Sequence, residues 1–385
     1  MPWGVRDVME QRIEFVIRAV QGGEGMSGLC REYGISRPTG YLWVERYRER
    51  GSVQGLAEHS RRPQRSPRQT PVEQEERVVE LRRRWSWGAK KLVVLLRQEG
   101  IELPVVTVNR ILQRRGLQRA EECHRPATQR FQREAPNQLW QMDFKGPWEV
   151  AEGSCFPLSI LDDHSRYLVG LHALRGTGAA GVWQGLTQTF EAYGVPEAML
   201  MDHGTPWWSM TNGHGLTKFA VELIRQGIRL YYSGIRHPQT QGKVERMHRS
   251  LKHRIYGWGR PRTLAESVER LAAFRSEYNQ VRPHEALGME VPARHYQSSP
   301  RAYNPQPREW EYEAGVLVKA LNSEGFLEYQ QRRYFVCEAL AEQPVGAQRI
   351  ENKLLVRYRH LWIREMDILS GRTSALVLPD TSPQV

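Results

Sequence analysis

Three carboxylates in this chain stand where a carboxylate is out of place. Asp143 lies inside Leu139-Trp-Gln-Met-Asp-Phe144, a short apolar run that reads as a strand. Asp202 closes a second apolar run, Ala198-Met-Leu-Met-Asp202, and His203-Gly204-Thr205-Pro206 breaks the chain straight after it. Glu245 falls in a helical run that Pro238 and Gly242 punctuate at its start. Positions four and seven apart share a helix face, so Glu245, Arg249 and Lys252 line up as one acid among bases. Read alone, that face is a solvated charged helix. The two upstream carboxylates change the reading. Placing an ionised group in or at the end of a buried strand is costly unless something compensates it. Mg²⁺ is one compensator, taking a few carboxylate oxygens and keeping places for water and substrate phosphates. Two such ions roughly 3.5–4 Å apart can hold the attacking and leaving oxygens of a phosphoryl transfer.

Five motifs follow one another in a fixed order. They are Trp140-x-x-Asp143, Leu161-Asp-Asp-His-Ser-Arg-Tyr167, Asp202-His-Gly-Thr-Pro206, His237-Pro-Gln-Thr-Gln-Gly-Lys-Val-Glu-Arg246 and Tyr278-Asn-Gln-Val-Arg-Pro-His284. Together they resemble the catalytic core of insertion-sequence transposases of the DDE class, bacterial relatives of retroviral integrases. The resemblance runs from about residue 137 to 297 and extends more loosely over the N-terminal third. It implies an RNase H-like fold, with Asp143, Asp202 and Glu245 as the catalytic, metal-binding triad. It implies two Mg²⁺ ions, for which Mn²⁺ can substitute, and double-stranded DNA, both element ends and target, as the partner. Lys252 would then hold a DNA phosphate, assisted by Lys243 and Arg249, with His237 as a further phosphate contact. Two departures are visible. The second Asp is followed by His203-Gly204 where the family often has Asn-Gly. The gap from Asp202 to Glu245 is longer than in many relatives, and the excess is placed in the loop-like stretch Trp207 to Thr217. Asp162 and Asp163 are adjacent, so on a strand they face opposite ways; with His164-Ser165 they read as a turn.

Composition narrows the class. A formal net charge of +12 suggests a polyanionic partner, most simply nucleic acid. No run of eighteen apolar residues is present, and Met1-Pro-Trp-Gly-Val-Arg has no apolar signal region. Cys30, Cys123, Cys155 and Cys337 are scattered without metal-site spacing, which fits a reducing compartment. The expectation is a bacterial cytoplasmic protein without a membrane partner, nucleoid-associated when on DNA. Two DNA ends must be brought together, so at least a homodimer is expected.

The elements that must position these residues form a multidomain chain. Residues 1–56 read as a helix-turn-helix domain: helices over about 6–20, 26–33 and 37–50, a Gly34-Ile-Ser36 turn, and Ser36 as cap. Arg37, Thr39 and Arg46 are its candidate DNA contacts. A basic linker, 57–70, leads to a second helix-turn-helix domain over 71–117. Its helices are expected over 73–85, 88–98 and 104–115, with Thr107 as a cap and Asn109, Arg110 and Arg114 as exposed contacts. A linker over 118–136 precedes the core, 137–297. There, three consecutive strands and then alternating helices and strands predict a mixed sheet with helices on both faces. Short strand-like runs over 298–385 predict a small β-rich C-terminal domain.

The function these features imply is a transposase that binds element ends and performs Mg²⁺-dependent strand cleavage and strand transfer. Two rivals share parts of it: a plain metal-dependent nuclease of the same fold, and a catalytically inert DNA-binding regulator derived from a transposase.

Overall fold

A computed structural model describes residues 7–58, 69–118, 132–209, 215–233 and 242–376. The middles of both basic linkers, the tip of the 207–217 loop and the segment containing His237 lie outside the described residues. The chain divides into two compact units, Met1–Val72 and Glu73–Val385.

The first unit is three helices, α1 (Val8–Gln21), α2 (Met26–Glu32) and α3 (Arg37–Arg50), followed by a short 3₁₀ turn. Asp7 caps α1, and the Ser36 hydroxyl accepts from the Thr39 amide to cap α3, as expected. Phe15, Val16, Leu29, Cys30, Val44 and Leu56 close one small core. Gly40 lets α3 approach that core closely: a Cβ there would lie 2.6 Å from Cys30 Sγ.

The second unit opens with α4 (Val72–Trp85), α5 (Ala89–Gln98) and α6 (Val105–Arg114). Their apolar faces share Val78, Leu81, Leu92, Leu96, Val108 and Ile111. One expectation changes here. Pro104, not Thr107, precedes α6, so Thr107 lies inside the first turn. Arg114 is exposed and pairs with Glu75, a residue only 7% exposed.

The central sheet has β1 (Trp140–Phe144), β3 (Gly153–Asp162), β4 (Leu168–Leu174), β5 (Ala198–Met201) and β6 (Arg229–Tyr232) in the order β4-β3-β1-β5-β6. A short β2 (Trp148–Val150) pairs with the start of β3. The β4-β3-β1 pairings are antiparallel; β1-β5 and β5-β6 are parallel. Residues alternate across the strands. Trp140 and Met142 of β1 therefore meet Leu158 and Ile160 of β3 on the face covered by α7 (Ala179–Tyr193) and α8 (Lys218–Arg225). The opposite face takes α9 (Gly242–Gly257) and α10 (Leu264–Gln280), through Val244, Met247, Leu251, Leu271, Phe274 and Tyr278.

The C-terminal part is a five-stranded antiparallel sheet in the order β13-β12-β11-β10-β7, with a separate β8-β9 hairpin. These strands are β7 (Leu317–Ala320), β8 (Phe326–Tyr329), β9 (Arg332–Phe335), β10 (Pro344–Ile350), β11 (Lys353–Tyr358), β12 (Leu361–Asp367) and β13 (Thr373–Ala375). Their core is completed by α8, whose Ala220, Val221 and Ile224 join Leu327, Leu340, Val345 and Val356.

Candidate active site

The two strand carboxylates are brought together by register. β1 and β5 are parallel neighbours with Trp140 opposite Met199 and Gln141 opposite Leu200. Continuing that register sets Asp143 opposite Asp202, at the carboxyl ends of both strands. Met142, Met199 and Met201 pack on the α7–α8 side, so alternation turns Asp143 and Asp202 to the α9 side. There α9 offers Glu245 in its first turn, exposed, and His248 one turn later, buried.

Each strand carboxylate has its own support. The Gly204 amide donates to Asp202 Oδ1 at 2.9 Å, and the Trp207 indole N–H donates to the same oxygen at 2.7 Å. Position 204 must be bare for this approach, since a Cβ would lie 2.9 Å from Asp202 Oδ1. Trp207 is buried and stacks on Phe144 with ring centroids 5.5 Å apart. Asp143 Oδ2 lies 3.7 Å from His248 Nδ1, and the other ring nitrogen is 2.9 Å from Ser159 Oγ. Burial, with Lys145 nearby, holds the His248 ring down to about 4, so at neutral pH it is an uncharged neighbour and no ion pair forms.

Asp143 is the member that senses both others. Burial, then Asp202, and to a smaller extent Glu245 push its carboxyl up to about 7. Carboxylates that disfavour one another's ionisation are relieved by a shared cation. Among the described residues no three His, Cys, Asp or Glu side chains gather tightly enough to ligate a single ion. The donor set still suits Mg²⁺, which needs one or two carboxylates per ion and leaves its other positions to water and substrate phosphates.

The remaining candidates separate. Asp162 is buried and accepts from Asn137 N, Ser165 N and Ser165 Oγ, which makes it the turn residue expected. Asp163, equally buried, accepts from Arg133 N at 2.8 Å, Gln141 Nε2 at 2.7 Å and Lys243 Nζ at 2.5 Å. That inward pairing replaces the phosphate contact expected of Lys243. Arg249 and Lys252 are exposed on α9. His203 sits edge-on to Trp208 at 4.4 Å, a packed histidine. His237 lies outside the described residues. In the first unit Arg37 is exposed and donates to Ser27 Oγ, Thr39 belongs to the Ser36 cap, and Arg46 lies over Trp43 at 4.9 Å. Asn109 and Arg110 are exposed on α6. Trp207, Ser159 and Asn279 are the supports that pattern reading did not assign. Asn279 clamps the Leu168 backbone with bonds of 2.8 and 3.0 Å, which ties α10 to β4. An indole in a Gly/Pro-rich stretch was the available signal for Trp207.

Comparison with known proteins separates the N-terminal helices from the central sheet region. Two models described as integrase core domains match residues 133–238 and 226–292. A helix-turn-helix model matches 11–64 and a homeodomain-like model matches 39–112. The chain is 24% identical over 231 residues to an uncharacterized 31.7 kDa protein of insertion element IS407 from Burkholderia multivorans, covering 56% of this chain and 78% of that protein. It is 26% identical over 241 residues to an uncharacterized 39.2 kDa protein of insertion element IS476 from Xanthomonas euvesicatoria, covering 59% of this chain and 66% of that one. Among solved structures, the HTLV-2 integrase catalytic core domain in complex with magnesium is similar over 43% of this chain and 99% of its own, with 14% identity and a TM-score of 0.35. No helix among the described residues is long and apolar enough to cross a membrane.

Proposed function

We propose that this chain is an insertion-sequence transposase with an RNase H-like core, a reading supported by its integrase-core matches and insertion-element relatives, and that it cuts and joins DNA ends by metal-dependent phosphoryl transfer. Asp143, Asp202 and Glu245 are the catalytic set. The observation that supports the reading is the placement of two carboxylates at the ends of adjacent parallel strands and a third in the first turn of the helix across that face.

Bound Mg²⁺ would supply activation of the attacking water or 3′ hydroxyl and stabilisation of the leaving oxygen. The chain's own residues do the positioning. Gly204 and Trp207 aim Asp202. His248 and Ser159 hold the Asp143 side. Lys252, two turns beyond Glu245 on the same face, would hold a DNA phosphate as a point charge. The scheme uses no covalent enzyme–DNA intermediate, so it asks for no nucleophilic Ser or Tyr. Arg37, Thr39 and Arg46 of α3 and Asn109 and Arg110 of α6 would contact element ends in the major groove. Two ends held at once would call for at least two copies of the chain.

The test is Mg²⁺-dependent strand transfer with the DNA ends that flank the gene, comparing the wild type with Glu245→Gln. Joined product from the wild type alone is expected. Nicking without joining would replace this reading with a plain nuclease. End binding with no chemistry in either protein would replace it with an inert DNA-binding regulator.

A further inference from the structure

Residues 246, 250 and 254 of α9 recur along one stripe of the helix. Two of them face the seam where the α4–α6 module meets the core. Ser250 Oγ accepts from Arg282 Nη2 at 3.1 Å. Arg254 donates to the Arg84 carbonyl at 2.6 Å, pairs with Glu277 at 2.7 Å and lies 5.1 Å from the Trp85 ring. Arg246 is the first member of the stripe and is exposed. Lys91 of α5 arrives at the same place from the module side. The charges it senses are Arg282 and Arg246, which repel it, and Glu285, which attracts it. Glu285 is already shared with Lys90 at 3.4 Å. Arg282 is fixed over the Trp87 ring at 5.5 Å. Beside them, His284 packs edge-on to Tyr278 at 4.7 Å, and its buried Nε2 has no hydrogen-bond partner.

The two acids nearest this grouping are ion-paired elsewhere, Glu285 with Lys90 and Glu277 with Arg254. Among the described residues, the Lys91 ammonium and the Arg246 guanidinium make no hydrogen bond or ion pair. Burial of the ammonium beside two guanidiniums brings Lys91 down to about 7. Charges desolvated in this way are stable only when paired. We propose that Lys91, Arg246 and Arg282 form a phosphate subsite at the seam, filled by a backbone phosphodiester of duplex DNA. Arg282 offers a rigid fork and Lys91 a point charge, the two geometries suited to a phosphate. The subsite joins the module to the turn of α9 that carries Glu245, so DNA lying across it would be held on both elements at once. The proposal rests on the DNA reading above.

The test uses the full chain with Lys91→Gln, Arg246→Gln and the double variant. Arg349→Gln, which lies in the C-terminal sheet, controls for lost net charge. Binding to the flanking-end duplex is measured over a salt series, and melting is measured without DNA. Each seam variant should weaken binding regardless of sequence and flatten the salt slope by about 1. Lys91→Gln should melt no lower than the wild type, because it removes unrelieved repulsion. Unchanged slopes, or slopes flattened equally by Arg349→Gln, would overturn the subsite. So would loss of melting temperature in Lys91→Gln, which would make the residue structural. A wild type without salt-dependent DNA binding would sink the transposase reading beneath it.

Discussion

At the scale of the residue, Asp143 is held against its own ionisation. Its carboxyl is pushed up to about 7 from an ordinary value of 3.8. A group whose folded value is raised stabilises the fold fully below its unfolded value, and that contribution is lost as pH rises through the folded one. At about 1.4 kcal/mol per pH unit, the ionised carboxylate destabilises the metal-free fold by up to roughly 4 kcal/mol. Asp143→Asn should therefore be the more stable protein at pH 8, equal to the wild type near pH 4, and inactive. Denaturant unfolding at the two pH values checks this, and added Mg²⁺ should narrow the gap from the wild-type side. A wild type more stable than the variant at pH 8 without metal would remove Asp143 from the site. Trp207→Phe isolates a second residue-scale effect. The ring can still stack on Phe144, but the 2.7 Å indole bond to Asp202 is lost. Supports of this kind are worth about tenfold in metal affinity, so the Mg²⁺ requirement for cleavage should rise by that order with end binding unchanged. An unaltered Mg²⁺ titration would reduce Trp207 to a packing residue.

At the scale of the element, α9 decides whether three carboxylates become one site. Val244, Met247 and Leu251 seat it on the sheet, but an apolar stripe alone permits sliding. The Asp163–Lys243 pair fixes its first turn, two residues before Glu245. It joins a fully buried carboxylate to an ammonium whose side chain is 17% exposed. Removing one partner of a buried pair leaves the other uncompensated and costs about 3–5 kcal/mol. Asp163→Asn and Lys243→Met should each show a loss of that order on unfolding. The double variant should lose much less than their sum. Additive losses would mean that the pair does not act as a unit. Catalysis should fall in all three, since Glu245 loses its register.

At the scale of the whole molecule, α8 serves two hydrophobic cores. Phe219 and Leu223 pack under the central sheet, while Ala220, Val221 and Ile224 complete the C-terminal core. Arg359, only 7% exposed, donates to the last carbonyls of α8, Ile224 and Arg225, the latter at 2.7 Å. Bonds from a charged donor contribute about 1.5–3 kcal/mol. Arg359→Ala should thus lower the melting temperature of the core and tail together. A chain ended after residue 297 should be poorly soluble, because it uncovers a helix face with no replacement partner. A well-folded, soluble truncated chain with an unchanged melting temperature would make the two hydrophobic cores independent.

What the sequence determined by itself is whatever neighbours along the chain enforce. Short apolar runs gave β1 and β5, and helical patterning gave α1 and α3 close to their observed bounds. Ser36 beside Gly34 gave the turn before α3, and carboxylates in apolar runs marked Asp143 and Asp202. Weakly patterned strands such as β2, β8, β10 and β13 carry less of that local signal, and they form through partners distant in the chain. Tertiary structure alone decided which side chains meet. Lys243 has the same local features as Arg249 and Lys252, yet it points to Asp163, 80 residues away. Arg114 looks exposed on its helix and is claimed by Glu75, 39 residues away. The second buried face of α8 and the seam between module and core exist only once separate segments pack. Periodicity is a property of one element, whereas the sign and distance of a neighbouring charge belong to the assembled fold.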